Sequence, residues 1–307
     1  MGKDQEVMIG ICGGVGPAAG LLLHQNILEH TESDGEDQGH LNVCHFSRSE
    51  DMTDRTEYLL STATEPNRNR NDRIENPACG MARTFEMMRA GALHGKARLV
   101  TGVPCNTFHA KPIWEEFLRL TKAAHSDDVR YVHMLEETVR FIAQCAPACQ
   151  RIGLMSTTGT RQSRVYHDLM EPLGYEIIEV PPTLQNELHE SIYHKVWGIK
   201  STAPAVKPRC VSNFHRYARV LREKGAEVIV MGCTEIPFAF AGKKSFAGAL
   251  LIDPLVALAR ALIREADASR LKPLDTEKAL PRPLARLSPR ATCKDRLAAK
   301  LCCWPNE

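Results

Sequence analysis

Two stretches in which an apolar run ends in a cysteine constrain this chain most. They occupy residues 100–109 (Val-Thr-Gly-Val-Pro-Cys-Asn-Thr-Phe-His) and 228–237 (Val-Ile-Val-Met-Gly-Cys-Thr-Glu-Ile-Pro). Each pattern predicts a buried strand, followed by small hydrogen-bonding residues at which a helix begins. Open α/β sheets hold their ligands at the carboxyl ends of the strands, where the first N–H groups of the next helix point. The sequence therefore predicts that Cys105 and Cys233 are two facing catalytic groups.

A second repetition in the chain supports an internal duplication. A strand at Val7–Cys12 leads through a glycine-rich loop into a helix with Pro17 at its first position, and residues 151–160 repeat this arrangement. We expect an α/β protein with two similar three-layer domains, each with a parallel central sheet. The two domains are expected to be related by a pseudo-twofold axis, with the active site in the cleft between them.

The composition narrows the class of protein further. The 307 residues are 43% hydrophobic and carry a formal net charge of +2, so no nucleic-acid or membrane partner is expected from charge. No run of eighteen apolar residues and no leader segment is apparent, which predicts a cytoplasmic location. The eleven cysteines include no CxxC pair. We expect most of them to be reduced and buried, and no metal site.

A pair of cysteines at strand ends suits proton transfer. A thiolate, favoured by a helix N-terminus and by cations, removes a proton from carbon, and a thiol on the opposite face returns one. The scheme requires no cofactor if fixed donors stabilise the carbanion. Asn106, Thr107, Thr234 and the amides of the loop at residues 13–14 are candidate donors.

Other interpretations of these residues remain open at this stage. The two cysteines suit a redox pair, or one of them a nucleophile with His109 as its base, although His109 equally suits packing. Arg55 suits a carboxylate clamp or an ordinary surface Asp–Arg pair. Lys200 is either directed towards a cleft or solvated in a loop.

The chain resembles the cofactor-independent aspartate/glutamate racemase superfamily. Five segments carry the resemblance, in the order that the family has: Gly13-Gly14-Val15-Gly16-Pro17, Asp54-Arg55-Thr56, Pro104-Cys105-Asn106-Thr107 with His109, Thr157-Thr158-Gly159-Thr160, and Gly232-Cys233-Thr234-Glu235-Ile236-Pro237. Cys12-Gly13-Gly14 differs from the cell-wall glutamate racemases, and the presence of Cys105 differs from the decarboxylases of the superfamily.

The resemblance implies a set of roles for named residues. Cys105 and Cys233 would be the acid–base pair, and Arg55 would hold a substrate carboxylate. The remaining substrate-binding residues implied by the resemblance are Gly14, Val15, Asn106, Thr107, Thr158, Thr160, Lys200 and Thr234. The resemblance also implies a homodimer that acts on a small dicarboxylic amino acid.

The chain is predicted to divide into two domains and a tail. Residues 1–134 and 246–266 would form the first domain, which carries Cys105, and residues 135–245 the second, which carries Cys233. Residues 267–307 are a basic, proline-containing tail that we expect to be loosely ordered. The predicted activity is racemisation of aspartate, with glutamate second, without pyridoxal phosphate. The alternatives are a maleate isomerase or hydantoin racemase type of enzyme, and a non-catalytic dicarboxylate-binding protein.

Overall fold

The computed structural model describes residues 6–64, 74–122 and 128–274. The strands are β1 Val7–Gly13, β2 Asn42–Ser47, β3 Arg98–Gly102, β4 Val129–Val132, β5 Arg151–Ser156, β6 Glu176–Glu179, β7 Val228–Gly232, β8 Ser245–Phe246 and β9 Ala249–Ile252. The helices are α1 Pro17–His30, α2 Arg55–Thr64, α3 Pro77–His94, α4 Lys111–Lys122, α5 Met134–Cys145, α6 Thr158–Gln162, α7 Val165–Met170, α8 Pro182–Tyr193, α9 Ile199–Thr202, α10 Pro208–Glu223 and α11 Pro254–Asp267. The chain divides into two compact units.

The first unit contains a four-stranded parallel sheet in the order β2-β1-β3-β4. Its central strands are apolar and buried, with Ile9, Ile11 and Val100 fully inaccessible to solvent, as expected for strands covered on both faces. Helices α1 and α11 pack against each other and on the sheet, and α3 packs on the sheet and against α4. Right-handed crossovers place these two pairs of helices on opposite faces.

The second unit repeats this topology. Its sheet has the order β6-β5-β7-β9-β8, in which the first four strands are parallel and only β8 is antiparallel. Its core joins the sheet to α8 and α10 through buried side chains such as Met155, Leu188, Phe214 and Ile229. Strands β5, β6, β7 and β9 thus correspond in order to β1, β2, β3 and β4. The predicted α/β class with parallel central sheets is confirmed.

The boundaries of the units differ from the predicted ones at two places. Strand β9 was expected in the first domain but pairs with β7, so the second unit extends to Asp253. Residues Thr157–Val165 were expected in the second domain but group with the first unit. Each segment joins the unit in which its contacts lie, which for β9 is the unit of its pairing partner β7.

The helix after the last parallel strand of each unit belongs to the other unit. Helix α5 follows β4, yet Leu135–Ser156 groups with the second unit. Helix α11 follows β9, yet Pro254–Pro273 groups with the first unit, where α11 contacts β1 and β3. Helix α5 thus follows a strand of the first unit but belongs to the second, and helix α11 follows a strand of the second unit but belongs to the first.

The beginning of the predicted tail is ordered by α1. The amide of Glu32 donates to the carbonyl of Arg270 at 2.7 Å, and the amide of Lys272 donates to the carbonyl of His30 at 3.0 Å. Residues 275–307 of the predicted tail and 65–73 of a predicted surface loop lie outside the described residues. Among the described helices, none has both the length and the apolar character needed to cross a bilayer.

Gly14 and Gly35 allow the cost of a close backbone approach to be separated from the cost of a positive φ. Gly14 has φ +89°, and a Cβ there would lie 2.9 Å from backbone atoms of Arg48; Gly35 has φ +79° and nothing within 4 Å. We predict that Gly35→Ala costs only the left-handed strain, about 1–2 kcal/mol. Gly14→Ala should lower the thermal midpoint further, because backbone must also move. Equal shifts in scanning calorimetry would contradict this account.

Candidate active site

Cys105 lies beyond the carboxyl end of β3, as predicted. The strand pairs with β1 through Gly102, and Cys105 follows in a tight loop in which its amide donates to the carbonyl of Val103 at 2.9 Å. Only 7% of Cys105 is exposed. The helix predicted to begin here is a single 3-10 turn, Thr107–His109, because Ala110 is extended and interrupts the helical path before α4. Cys105 therefore precedes a short turn rather than a long helix.

The ring of His109 contacts the backbone of this loop and of Met134. Its Nδ1 lies 2.8 Å from the carbonyl oxygen of Cys105, and its Nε2 accepts from the amide of Met134 at 3.3 Å. A carbonyl can only accept, so Nδ1 carries the proton and the ring is neutral. Burial lowers the pKa of His109 to about 4. Both nitrogens are thus engaged with backbone, which favours the packing role over the role of base.

Three threonine hydroxyls form a buried cluster that includes Thr107, two residues after Cys105. Thr107 Oγ1 lies 2.7 Å from Thr160 Oγ1 and 3.3 Å from Thr157 Oγ1. Thr157 also caps α6 by accepting from the amide of Thr160 at 3.2 Å. Thr158 is half-buried at the first position of that helix. The predicted residues Thr107 and Thr160 are therefore brought together, with Thr157 as a member that the predicted set omitted.

Arg55 is buried rather than part of an exposed pair. It is the first residue of α2, with 7% exposure, and its two terminal nitrogens donate to the carbonyls of Thr53 at 3.2 Å and Val15 at 3.4 Å. Arg55 thus ties the loop after β1, which contains Gly14 and Val15, to the start of α2. Helix α2 in turn packs against α6. Arg55 is therefore not a surface side chain.

Asn106 is the remaining predicted polar residue of the first unit. It directly follows Cys105, is 2% exposed and has helical dihedral angles. Its amide lies in the same loop as the thiol, between Cys105 and the threonine cluster in the chain. The first unit therefore gathers Cys105, Asn106 and Thr107 at the end of one strand.

The second unit places Cys233 directly after β7. Cys233 is 6% exposed, and its carbonyl accepts from the amide of Ile236 at 3.0 Å at the start of the 3-10 turn Ile236–Phe240. Thr234 is 2% exposed. Lys200 lies in the short helix α9 and pairs with Glu235, its Nζ 2.8 Å from Oε1. Lys200 is therefore neither a loop residue nor fully solvated.

Glu235 is the functional candidate that the predicted set missed. Its side chain is 2% exposed, and Oε2 accepts from the Cys233 thiol at 3.0 Å and from the Thr234 hydroxyl at 3.2 Å. An acidic residue within the otherwise apolar or small stretch at 228–237 was the available signal. A buried carboxylate requires donors, and here they come from its own loop and from α9.

The electrostatics of Cys233 differ from the prediction. Burial and the carboxylate of Glu235 raise the pKa of the Cys233 thiol well above its usual range, while Lys200 acts in the opposite direction. Burial alone would raise the pKa of Glu235, but Lys200 and the hydrogen bonds from Cys233 and Thr234 lower it overall. The expectation that cations and a helix end favour the thiolate at Cys233 is wrong, because a carboxylate lies beside it.

These features define the class of protein. It has two α/β units whose parallel sheets share one strand order, and a cysteine follows the equivalent strands β3 and β7. A family model described as Asp/Glu/hydantoin racemase matches residues 13–262, and the chain belongs to this family of racemases. A stretch of 91 residues is 31% identical to an uncharacterized protein in the pnlA 3′ region of Pectobacterium carotovorum subsp. carotovorum. The match covers 28% of this chain and 53% of that protein, so it spans about half the length of the curated relative.

Solved structures show the same fold. The aspartate racemase of Picrophilus torridus superposes with a TM-score of 0.65 at 21% identity, covering 87% of this chain and 96% of that one. A putative Asp/Glu racemase from Yersinia pestis gives 0.59 at 19% identity, with 85% and 99% covered. Glutamate racemase of Francisella tularensis in complex with D-glutamate gives 0.51 at 14% identity, with 89% and 85% covered.

The buried neutral ring of His109 predicts a pH dependence of stability. Its folded pKa of about 4 lies below the unfolded value of about 6.5, so the unfolded chain binds the proton first. The stabilisation is complete above about pH 6.5 and declines as the pH falls towards 4, by up to about 3 kcal/mol. We predict that His109→Asn, whose amide can still donate to the Cys105 carbonyl, reduces the loss of thermal stability between pH 7 and 5.

Exposed His94 provides the matched control for this measurement. His94→Asn should leave the pH dependence of the thermal midpoint as in the wild type. If His109→Asn also leaves it unchanged, the ring is not held neutral by burial.

Proposed function

We propose that this protein is an amino-acid racemase that interconverts L- and D-aspartate, with glutamate second, without pyridoxal phosphate. The observation that carries the proposal is topological. Cys105 follows β3 and Cys233 follows β7, and these strands are equivalent in two sheets of the same order. Membership of a racemase family supports the reaction type. A thiol after each of two equivalent strands suits a reaction with two mirror-image substrates.

The proton balance of the proposed step is simple. One cysteine, as thiolate, removes the α-proton: an S–H bond forms, the C–H bond breaks, and its electron pair passes into the α-carboxylate as an enediolate. The other cysteine, as thiol, then gives its proton to the opposite face of Cα and becomes a thiolate. The scheme requires one thiol on each side of Cα. The protein is left in the protonation state that binds the product enantiomer.

Stabilisation of the developing negative charge is assigned to fixed donors. The hydroxyls of Thr107 and Thr160, 2.7 Å apart and buried, are already oriented by one another, so little reorganisation accompanies the reaction. Asn106 lies one residue from the first thiol, and Thr234 lies one residue from the second. These neighbours support a site in which each thiol has its own polar surroundings.

Arg55 supports an acidic substrate. Its guanidinium is buried, and its terminal nitrogens donate to the carbonyls of Val15 and Thr53, which fixes its orientation. The planar, forked donors of a guanidinium match the two oxygens of a carboxylate, and this geometry supports the role that the resemblance implies for Arg55. The family description also names hydantoin racemases. A hydantoin ring carries no carboxylate, so Arg55 favours aspartate or glutamate as the substrate.

The first test is whether both thiols are necessary. We predict that the wild type exchanges the α-proton of L-aspartate in deuterated water and forms D-aspartate, measured by proton NMR and chiral chromatography. Cys105→Ser and Cys233→Ser should each abolish racemisation, because a serine hydroxyl is a far weaker acid than a thiol. Cys79→Ser, at a half-buried free thiol of α3, is the matched control and should retain activity.

The other outcomes discriminate between the alternatives. A single cysteine variant that retains two-way turnover would contradict the two-base scheme. An adduct trapped with maleate, found by intact mass, would identify an isomerase that uses one cysteine as nucleophile. Saturable stabilisation by aspartate without exchange would identify a binding protein.

Substrate recognition by Arg55 has a separate test. We predict that Arg55→Lys lowers kcat/KM for aspartate by about 10–100-fold, because a lysine cannot reproduce the forked donors and a charged hydrogen bond contributes about 1.5–3 kcal/mol. Arg119→Lys, at an exposed arginine of α4, is the control and should behave as the wild type. Unchanged kinetics in Arg55→Lys, with an unchanged thermal midpoint, would show that Arg55 does not hold the substrate.

A further inference from the structure

The hydrogen bond between Cys233 and Glu235 is not required by the two-base scheme. In that scheme either thiol exchanges its proton with the substrate alone. Here a buried carboxylate oxygen, Glu235 Oε2, lies 3.0 Å from Cys233 Sγ. The two residues are 2% and 6% exposed, so water does not screen the interaction.

The contacts of Glu235 show that it is ionised. Oε1 receives the ammonium of Lys200 at 2.8 Å, and Oε2 receives the hydroxyl of Thr234 and the thiol of Cys233. A carboxylate accepts hydrogen bonds at both oxygens and donates none, which is the pattern seen. The charge of Lys200 compensates that of Glu235, so the buried pair is neutral as a whole.

An ionised Glu235 makes the thiolate of Cys233 unfavourable. Loss of the thiol proton would place a second negative charge 3.0 Å from Oε2 in surroundings of low dielectric constant, and would remove one of its donors. The thiol form keeps the hydrogen bond and adds no charge. The raised pKa of Cys233 is consistent with this geometry.

Resting on the proposed function, we propose that Glu235 is a positioning residue that holds Cys233 as a protonated thiol, so that Cys233 is the proton donor of the resting enzyme and Cys105 its base. Lys200 then serves to keep Glu235 ionised rather than to hold the substrate. The two halves of the racemase are unequal in this respect. After Cys233 has given its proton to Cα, its thiolate lies against Glu235 and is the less populated enzyme form until a proton returns.

The other charged or titratable groups around Cys233 do not replace Glu235 in this role. Tyr166 of α7 is near enough for the charge of Cys233 to affect it, but burial, first, and the nearby acids raise its pKa, so it remains neutral. His215 of α10 bonds the carbonyl of Ala239 at the far end of the 3-10 turn. Within the described residues, Lys200 forms an ion pair with Glu235.

Thiol alkylation tests the proposal without substrate. Wild-type protein and Glu235→Gln are treated with iodoacetamide across pH 6–10, and carbamidomethylation of the Cys105 and Cys233 peptides is followed by mass spectrometry. Glutamine keeps the shape, removes the charge and can donate to sulfur. We expect Cys233 to alkylate about tenfold faster at pH 8 in Glu235→Gln, with its pH midpoint about one unit lower, since one pKa unit is a tenfold change. The rate at Cys105 should not change.

Two variants separate charge from packing. Exposed Glu223→Gln should leave both cysteines as in the wild type. Glu235→Asp retains the carboxylate, and Cys233 should stay slow to react. If Glu235→Asp accelerates alkylation as much as Glu235→Gln, the residue acts by packing and the proposal is overturned. An unchanged pH midpoint in Glu235→Gln overturns it as well.

The outcome is independent of the success of the proposed function. If aspartate is not racemised but alkylation of Cys233 depends on the charge at residue 235, the proposed reaction fails and the control of the thiol by Glu235 stands as a property of the site. If racemisation is found and the alkylation rates are unchanged, the two-base reaction stands without this asymmetry.

Discussion

The pairing of buried parallel strands is the constraint on which both halves of the molecule depend. Strand β3 pairs with β1 and strand β7 with β5, each over five residues in register. Because side chains alternate along a strand, a shift of one residue would turn every apolar side chain of these strands to the opposite face. The register therefore determines where the chain leaves each sheet, and the residues that leave there are the two cysteines and their polar neighbours.

Much of this framework was predictable from the sequence. Runs such as Val228–Gly232 are apolar, short and followed by small residues, which leaves few alternatives to a buried strand. The glycine loop before Pro17 and the repeat at residues 151–156 were also recognisable, because they depend on local backbone requirements. Segments that depend on distant partners were not: β9 was expected in the first domain, since its preference for β7 is set by pairing that no local pattern records.

In the site, too, features set by local sequence were predictable and features set by distant residues were not. That Cys233 would lie at a strand end was predictable, whereas its surroundings were not. Its pKa is raised by burial and by Glu235 and lowered by Lys200, which lies 35 positions before Glu235 in the chain. His109 is comparable: the sequence allowed a base or a packed ring, and only the two backbone groups that it meets, of Cys105 and Met134, decide between them.

The position of α11 in the first unit has a consequence for biosynthesis. Helix α11 covers β1 and β3 in the first unit, yet its residues, Pro254–Asp267, are the last regular helix of the described chain to leave the ribosome. A nascent chain that has completed β4 has α1 on this face of its first sheet but lacks α11, so the apolar residues that α11 covers on β1, β3 and β4 stay exposed. The first half of this protein therefore cannot complete its fold until the last strand of the second half has been translated, whereas α5 is already present when the second half is made.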